Sequence, residues 1–210
     1  MRKITLICLT LLLSFAFIPT TSASAGGAEG FVKNLSDTAI STLTGKNMDQ
    51  TERDRRFRVL LNQNFDVPGI GRFALGRYWK SASTDQQQEY LRLFESMLTQ
   101  TYSARFAKYS GQTVKVNGSK QEVDSILVQS QMINPDGSKP VLIDWRLKQA
   151  GNGFKIMDLI VEGVSMSTTQ RSEFSSVIER GGGDIDALIK ILRKKTQGRA
   201  DNGQVTAHTD

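Results

Sequence analysis

Metal and nucleophile chemistry find almost no raw material in this chain, which has one cysteine and one histidine in 210 residues. The lone cysteine, Cys8, excludes an internal disulfide and any cysteine-based zinc cluster. The lone histidine, His208, stands in a polar, patternless stretch from Gly198 to Asp210 that reads as a disordered tail, so it is solvated rather than catalytic. With neither residue in the folded body, Ser-His, Cys-His and His-metal mechanisms are excluded. There is no phosphate loop either: Gly69-Ile70-Gly71 lacks the Lys-Ser/Thr step and a preceding strand. Charge is also modest. Lys+Arg 27 against Asp+Glu 21 gives +6, which does not call for a nucleic-acid partner. The hydrophobic fraction of 39% indicates neither an integral membrane protein nor a disordered chain.

The one long apolar run is N-terminal. Met1-Arg2-Lys3 is a short basic start, Ile4 to Ile18 is almost wholly apolar, and Ala23-Ser24-Ala25 is the small-x-small pattern that signal peptidase accepts. The run is short of the about 20 residues a membrane span needs. Residues 1–25 therefore read as a signal peptide, 26–197 as one α+β domain, and 198–210 as the tail. Cleavage removes Cys8, Arg2 and Lys3 and lowers the net charge from +6 to +4. A cysteine-free exported chain suits an oxidising compartment, here a bacterial periplasm.

Helical periodicity dominates from Ala28 to Tyr109. Phe31, Leu35, Ala39, Ile40 and Leu43 mark one amphipathic helix, and Asp49 or Thr51 can cap a second carrying Phe57, Leu60 and Leu61. Asp66-Val67-Pro68 opens a third, with Ile70, Phe73, Ala74 and Tyr78 on its inner face. Thr84-Asp85-Gln86-Gln87 begins the longest, striped by Leu91, Phe94, Leu98, Tyr102, Phe106 and Tyr109. Beyond Gly111 the period becomes two, and strands are expected over 113–116, 123–133, 140–148 and 154–161, separated by Asn117-Gly118, Asn134-Pro135-Asp136-Gly137 and Ala150-Gly151-Asn152-Gly153. Short links favour an antiparallel meander. Helix returns from Thr168 or Thr169 to Ile178 and from Ile185 to Lys195. The expected fold is α+β: N-terminal helices packed on a curved four-stranded antiparallel sheet with C-terminal helices, a cone of NTF2-like general shape.

Two strand acids stand out. Asp144 shares a face with Leu142, Arg146 and Lys148, while Asp158 shares one with Phe154, Ile156 and Ile160 and reads as a hydrogen-bonded or Arg-paired structural acid ahead of a general base. Arg53, Arg55, Arg56 and Arg58 cluster on one helix, as a solvated face with local ion pairs or as a docking face for anionic head groups or an acidic partner. Apolar stripes are the better clue. Phe94, Leu98 and Tyr102 lie on the long helix, Val141, Ile143, Trp145 and Leu147 on one face of the third strand, and Met157, Leu159 and Val161 on one face of the fourth. Such stripes read as ordinary core, or as the wall of an apolar pocket enclosed between helices and sheet.

Phe65-Asp66-Val67, Phe73-Ala74-Leu75-Gly76-Arg77-Tyr78-Trp79-Lys80, Thr84-Asp85-Gln86, Tyr90-Leu91-Arg92-Leu93-Phe94, Asp144-Trp145-Arg146-Leu147 and Phe154 through Ser165 follow one another in a pattern that resembles the MlaC (toluene-tolerance) family. The likeness runs from about Phe31 to Leu192, with Lys80 standing where Arg is commoner. The resemblance implies a periplasmic phospholipid carrier, not an enzyme, without cofactor or metal. It would work as a monomer between an outer-membrane lipoprotein–porin complex and an inner-membrane MCE-domain ABC transporter, keeping outer-membrane lipid asymmetry. Periodicity then nominates Phe73, Tyr78, Trp79, Phe94, Leu98, Tyr102, Val141, Ile143, Trp145, Met157, Leu159 and Val161 as pocket lining, and Arg53, Arg56 and Arg77 as docking residues. The alternatives are a carrier of hopanoid or another lipid, and an NTF2-like periplasmic enzyme using Asp158 as base.

Overall fold

The structure, a computed structural model, describes residues 25–204, with side chains described over 27–197. Residues 1–24, which are all but the last residue of the expected signal peptide, and 205–210, His208 included, lie outside the described residues. Helices α1 (Ala25–Leu43), α2 (Gln50–Asn64) and α3 (Val67–Leu75) come first, followed by a 3₁₀ turn (Gly76–Trp79) and the long α4 (Thr84–Phe106). A meander β1 (Thr113–Gln121), β2 (Ile126–Ile133), β3 (Val141–Ala150), β4 (Gly153–Val161) and β5 (Val164–Ser165) forms one antiparallel sheet in that spatial order. Helices α5 (Met166–Arg180) and α6 (Ile185–Gln204) complete the described chain. The α+β expectation holds, with five strands rather than four.

The helix starts follow local chemistry. Asp49 caps α2 by accepting from the Glu52 amide at 2.8 Å, and Asp66 caps α3 through the Gly69 amide at 3.0 Å, with Pro68 in the first turn where its missing N–H is harmless. For α4 the cap is Ser83, one residue before the expected Thr84, because Ser83 and Gln86 satisfy each other's backbone amides in a capping box. Helix α5 starts earlier than expected, since Ser165 supplies the cap for the Thr168 amide. Helix α6 continues to Gln204, past the point at which the tail was expected to begin.

Two strand expectations are corrected. Asn117-Gly118 is not a turn: β1 runs through it, and the register with β2 shifts there, with Gly118 at φ 148°. The β1–β2 reversal instead falls at Glu122–Ser125, closed by the Glu122 amide on the Ser125 carbonyl at 2.8 Å. The fifth strand arises because Glu162 and Gly163 both take positive φ (49° and 81°), the geometry that folds β4 back tightly on itself.

Apolar side chains form two separate cores. The helical core joins α2, α3, α4, α5 and α6 around Leu75, Tyr90, Phe94, Phe174, Ile178, Leu188 and Leu192. Here the Tyr90 and Phe94 rings stack at 5.8 Å and Phe174 meets both edge-on. The second core pins Ala28 and Val32 of α1 onto Ile126, Val128, Leu147, Phe154 and Ile156 of the sheet. Phe65, at the α2–α3 junction, packs against both. Its backbone bridges Ile156, and Lys155 Nζ donates to the Asn62 and Gln63 carbonyls at 2.9 and 2.7 Å, stitching the helical layer to β4.

Candidate functional site

Strand register defines which side chains share the inner face, the one that carries α1. Ile143 stands opposite Val161 and Trp145 opposite Leu159, while across β2 Trp145 meets Val128, Ile143 meets Ser130 and Val141 meets Met132. Val114 and Val116 of β1 continue the same face opposite Met132 and Ser130. At the α1 end this face closes into a dry core, with Val128, Leu147 and Ile156 completely buried. Away from α1, Val114, Met132, Val141, Ile143, Trp145, Leu159 and Val161 are all only half-buried. The principal neighbours of α4 are α6 and α2, and none of them is a strand. Trp145 and Leu159 border the α1 core; large apolar groups normally bury fully in a packed interior, so this half of the inner face is an apolar surface that the described residues cover only in part.

Its polar atoms are already satisfied. Trp145 Nε1 donates to Ser130 Oγ at 2.8 Å, and Ser130 Oγ donates to the Ile143 carbonyl at 2.8 Å. No titratable group stands among the inner-face residues of β2, β3 and β4 in this half. Such a wall can exclude water and hold an apolar ligand, with the Ser130 hydroxyl and Trp145 N–H turned onto protein partners.

Of the expected lining, Val141, Ile143, Trp145, Leu159 and Val161 come together on this face. Met157 does not follow the alternation: Leu147 pairs with Ile156 and Arg146 with Asp158, so Met157 is the extra residue of a β-bulge. The helical candidates divide. Tyr78 and Phe94 are buried inside the helical core, Trp79 and Leu98 pack against it, Tyr102 is half-buried beneath Arg105, and Phe73 is 43% exposed on the surface. Val114, Met132 and Ser130 join the same face; period two within β1 and β2 carries their signal, but only the register aligns them with Ile143.

The docking arginines also separate. Arg53 is 6% exposed: its guanidinium donates to the Leu43 and Met48 carbonyls and to Gln50, closing the C-terminus of α1. That removes it from any surface role. Arg56 is half-buried, bound to Glu52 at 2.6 Å and to the Thr42 carbonyl. Arg77 alone is well exposed, paired with Glu179 at 2.8 Å.

Asp158 is held as a structural acid. It is 5% exposed and accepts from Ser165 Oγ at 2.6 Å and the Ser167 amide at 3.0 Å, with Arg146 at 3.5 Å. The bulge turns it away from Phe154 and Ile156, onto the face opposite the apolar space, which corrects the expected sharing of a face. A groove elsewhere, between Asn62, Val67, Pro68, Leu91, Arg92 and Glu95, measures 230 Å³ and falls below the about 300–1,000 Å³ of ligand pockets.

An antiparallel sheet with a partly open apolar inner face, joined to a helical layer, is the frame of a binding protein for hydrophobic ligands. The MlaC protein family model matches residues 33–194, and the chain belongs to that family. It is 23% identical over 195 residues to the intermembrane phospholipid transport system binding protein MlaC of Haemophilus influenzae, covering 89% of this chain and 90% of that protein. It is 21% identical over 184 residues to the toluene tolerance protein ttg2D of Pseudomonas putida, covering 85% and 86%. Among solved structures, the phospholipid-binding protein of Ralstonia solanacearum in complex with a phospholipid superposes with a TM-score of 0.69 at 27% identity, over 84% of this chain and 99% of that one.

Proposed function

We propose that the protein is a periplasmic phospholipid carrier, whose half-buried inner-face residues Val141, Ile143, Trp145, Leu159 and Val161 take up acyl chains. The observation that carries this reading is the partly open apolar half of the inner face, in a fold whose Ralstonia relative is described with a phospholipid. Exposing lipid tails to water costs ~0.8 kcal/mol per methylene, so about 30 methylenes cost on the order of 20 kcal/mol. Unassisted transfer between membranes is therefore very slow, and a covered apolar interior replaces that exposure. Bilayer and pocket are both apolar, so transfer is nearly neutral and direction rests on partner affinities. The partners in this reading are an outer-membrane lipoprotein–porin complex and an inner-membrane MCE-domain ABC transporter, with outer-membrane lipid asymmetry as the result. The protein acts as a carrier rather than an enzyme: Asp158, the one candidate base, is fully engaged in hydrogen bonds away from the apolar space.

Native mass spectrometry of protein exported to the periplasm tests this. Co-purifying phospholipid masses are expected, and lipid extraction identifies them. Protein that remains empty under gentle conditions would overturn the reading, and extracted hopanoid would redirect it to the other cargo.

A further inference from the structure

Lipid carriage makes no use of three arginines stacked on aromatic rings at the surface of α3, the 3₁₀ turn and α5. The Arg72 guanidinium lies 5.3 Å from the centre of the Trp79 ring, Arg77 4.9 Å from Tyr78, and Arg171 5.2 Å from Phe73. All three are exposed, and Lys80 adds a fourth exposed cation to the same run. Gly76 makes room for Arg171: it takes φ 61°, and a Cβ there would stand 2.9 Å from Arg171 Nε. Arg77 is spoken for by Tyr78 Oη and Glu179 Oε1, both at 2.8 Å. The Arg72 and Arg171 guanidiniums, by contrast, have no carboxylate at ion-pair distance and donate no hydrogen bond among the described residues.

An aromatic ring beneath a guanidinium orients its plane and covers one side, while the in-plane N–H edges stay open. Such a fork matches phosphate oxygens in bidentate geometry. Phe73, the ring beneath Arg171, is itself 43% exposed, an apolar side chain of the kind an interfacial segment buries at the head-group boundary. We propose that this face docks on the anionic, phosphate-rich surface of a membrane leaflet, with Arg72 and Arg171 gripping lipid phosphates and Phe73 resting at the interface. An acidic protein is the poorer occupant. A protein interface needs a desolvated cluster of anchors, but Tyr78 is turned into the helical core and Trp79 packs against it, leaving Phe73 as the single projecting ring. One shallow apolar contact among several cations gives weak, reversible membrane binding, as a shuttling protein requires. The proposal does not depend on what the interior holds.

Flotation with vesicles tests it, using phosphatidylethanolamine with about 30% phosphatidylglycerol against neutral phosphatidylcholine, at low and high salt. The full chain should float with the anionic vesicles, more weakly as salt rises, and not with the neutral ones. Arg72→Gln/Arg171→Gln should lose about fivefold in partitioning per arginine, whereas Lys115→Gln/Lys120→Gln, which removes equal charge from β1, should lose much less. Arg171→Lys, which keeps the charge but not the fork, should fall between wild type and the arginine variant, and does so without risk to the fold. Native mass spectra of the same samples separate docking from loading: lost flotation with interior lipid retained is the expected result. Equal partitioning to both vesicle types, equal losses in the arginine and lysine variants, or no flotation at low salt would overturn the proposal.

Discussion

Arg53 and Asp158 carry charges that the fold uses inwardly. Asp158 holds the first turn of α5 to β4 through Ser165 and the Ser167 amide, while Arg146 links it onward to Glu122 at 3.2 Å. Asp158→Ala should destabilise the protein by about 2–3 kcal/mol, the loss of hydrogen bonds to a charged, buried acceptor, as read from urea unfolding, and it should leave lipid co-purification intact in the folded fraction. An essential base would instead show lost turnover at unchanged stability. Glu52 behaves differently because it is solvated. The Arg55 and Arg56 guanidiniums, Arg55 foremost, hold its carboxyl at about 2, below its ordinary 4.5. A carboxyl depressed in the folded state contributes stability that is full above its unfolded value and lost as pH falls through the folded one. The stability difference between wild type and Glu52→Gln should therefore shrink as pH drops from about 5 towards about 2, which unfolding at a series of pH values would check; an exposed pair makes the difference small throughout.

Among the elements, α4 is the longest, and its start is set by four residues. Ser83→Ala removes the capping box with Gln86 and should cost about 1 kcal/mol, with hydrogen exchange rising in the first turn of α4 and not in its middle. Much of this level was legible from sequence: the helix stripes, the Pro68 entry, the three glycines that end α5 and the two-residue period of the sheet all follow from local stereochemistry. What escaped was bulges. Asn117-Gly118 has the composition of a hairpin turn, yet β2 pairs across it, because the inner-face partners of Val116 and Ser119 bury better in register than apart. Ile156 and Met157 are adjacent apolar residues between Lys155 and Asp158, so alternation alone gave no sign which of them is extra.

At the scale of the whole molecule, two cores joined along β4 leave an apolar half-face between them. Large side chains in the helical core and on that half-face should respond differently. Phe94→Ala should destabilise by about 3–5 kcal/mol by opening a cavity in a packed cluster. Ile143→Glu should leave the melting temperature of lipid-free protein nearly unchanged and abolish lipid co-purification, since a carboxylate facing hydrocarbon carries a large desolvation penalty. Lipid-loaded wild type should also melt above stripped protein, as any ligand bound only to the native state requires.

By itself the sequence determined the α+β order of elements and the family to which the chain belongs, because each depends on residue type and local period. The division of apolar residues between core and lining was decided only in three dimensions. Phe94, Leu98, Ile143 and Val161 have the same hydrophobic character, and each continues the apolar stripe of its own element. Whether each meets a close-packed neighbour or a partly open face depends on strand register, on one bulge at Met157 and on where α1 stops covering the sheet. The arginines divided for the same reason: Arg53 and Arg77 are alike as letters, and only the end of α1 made one of them a buried cap.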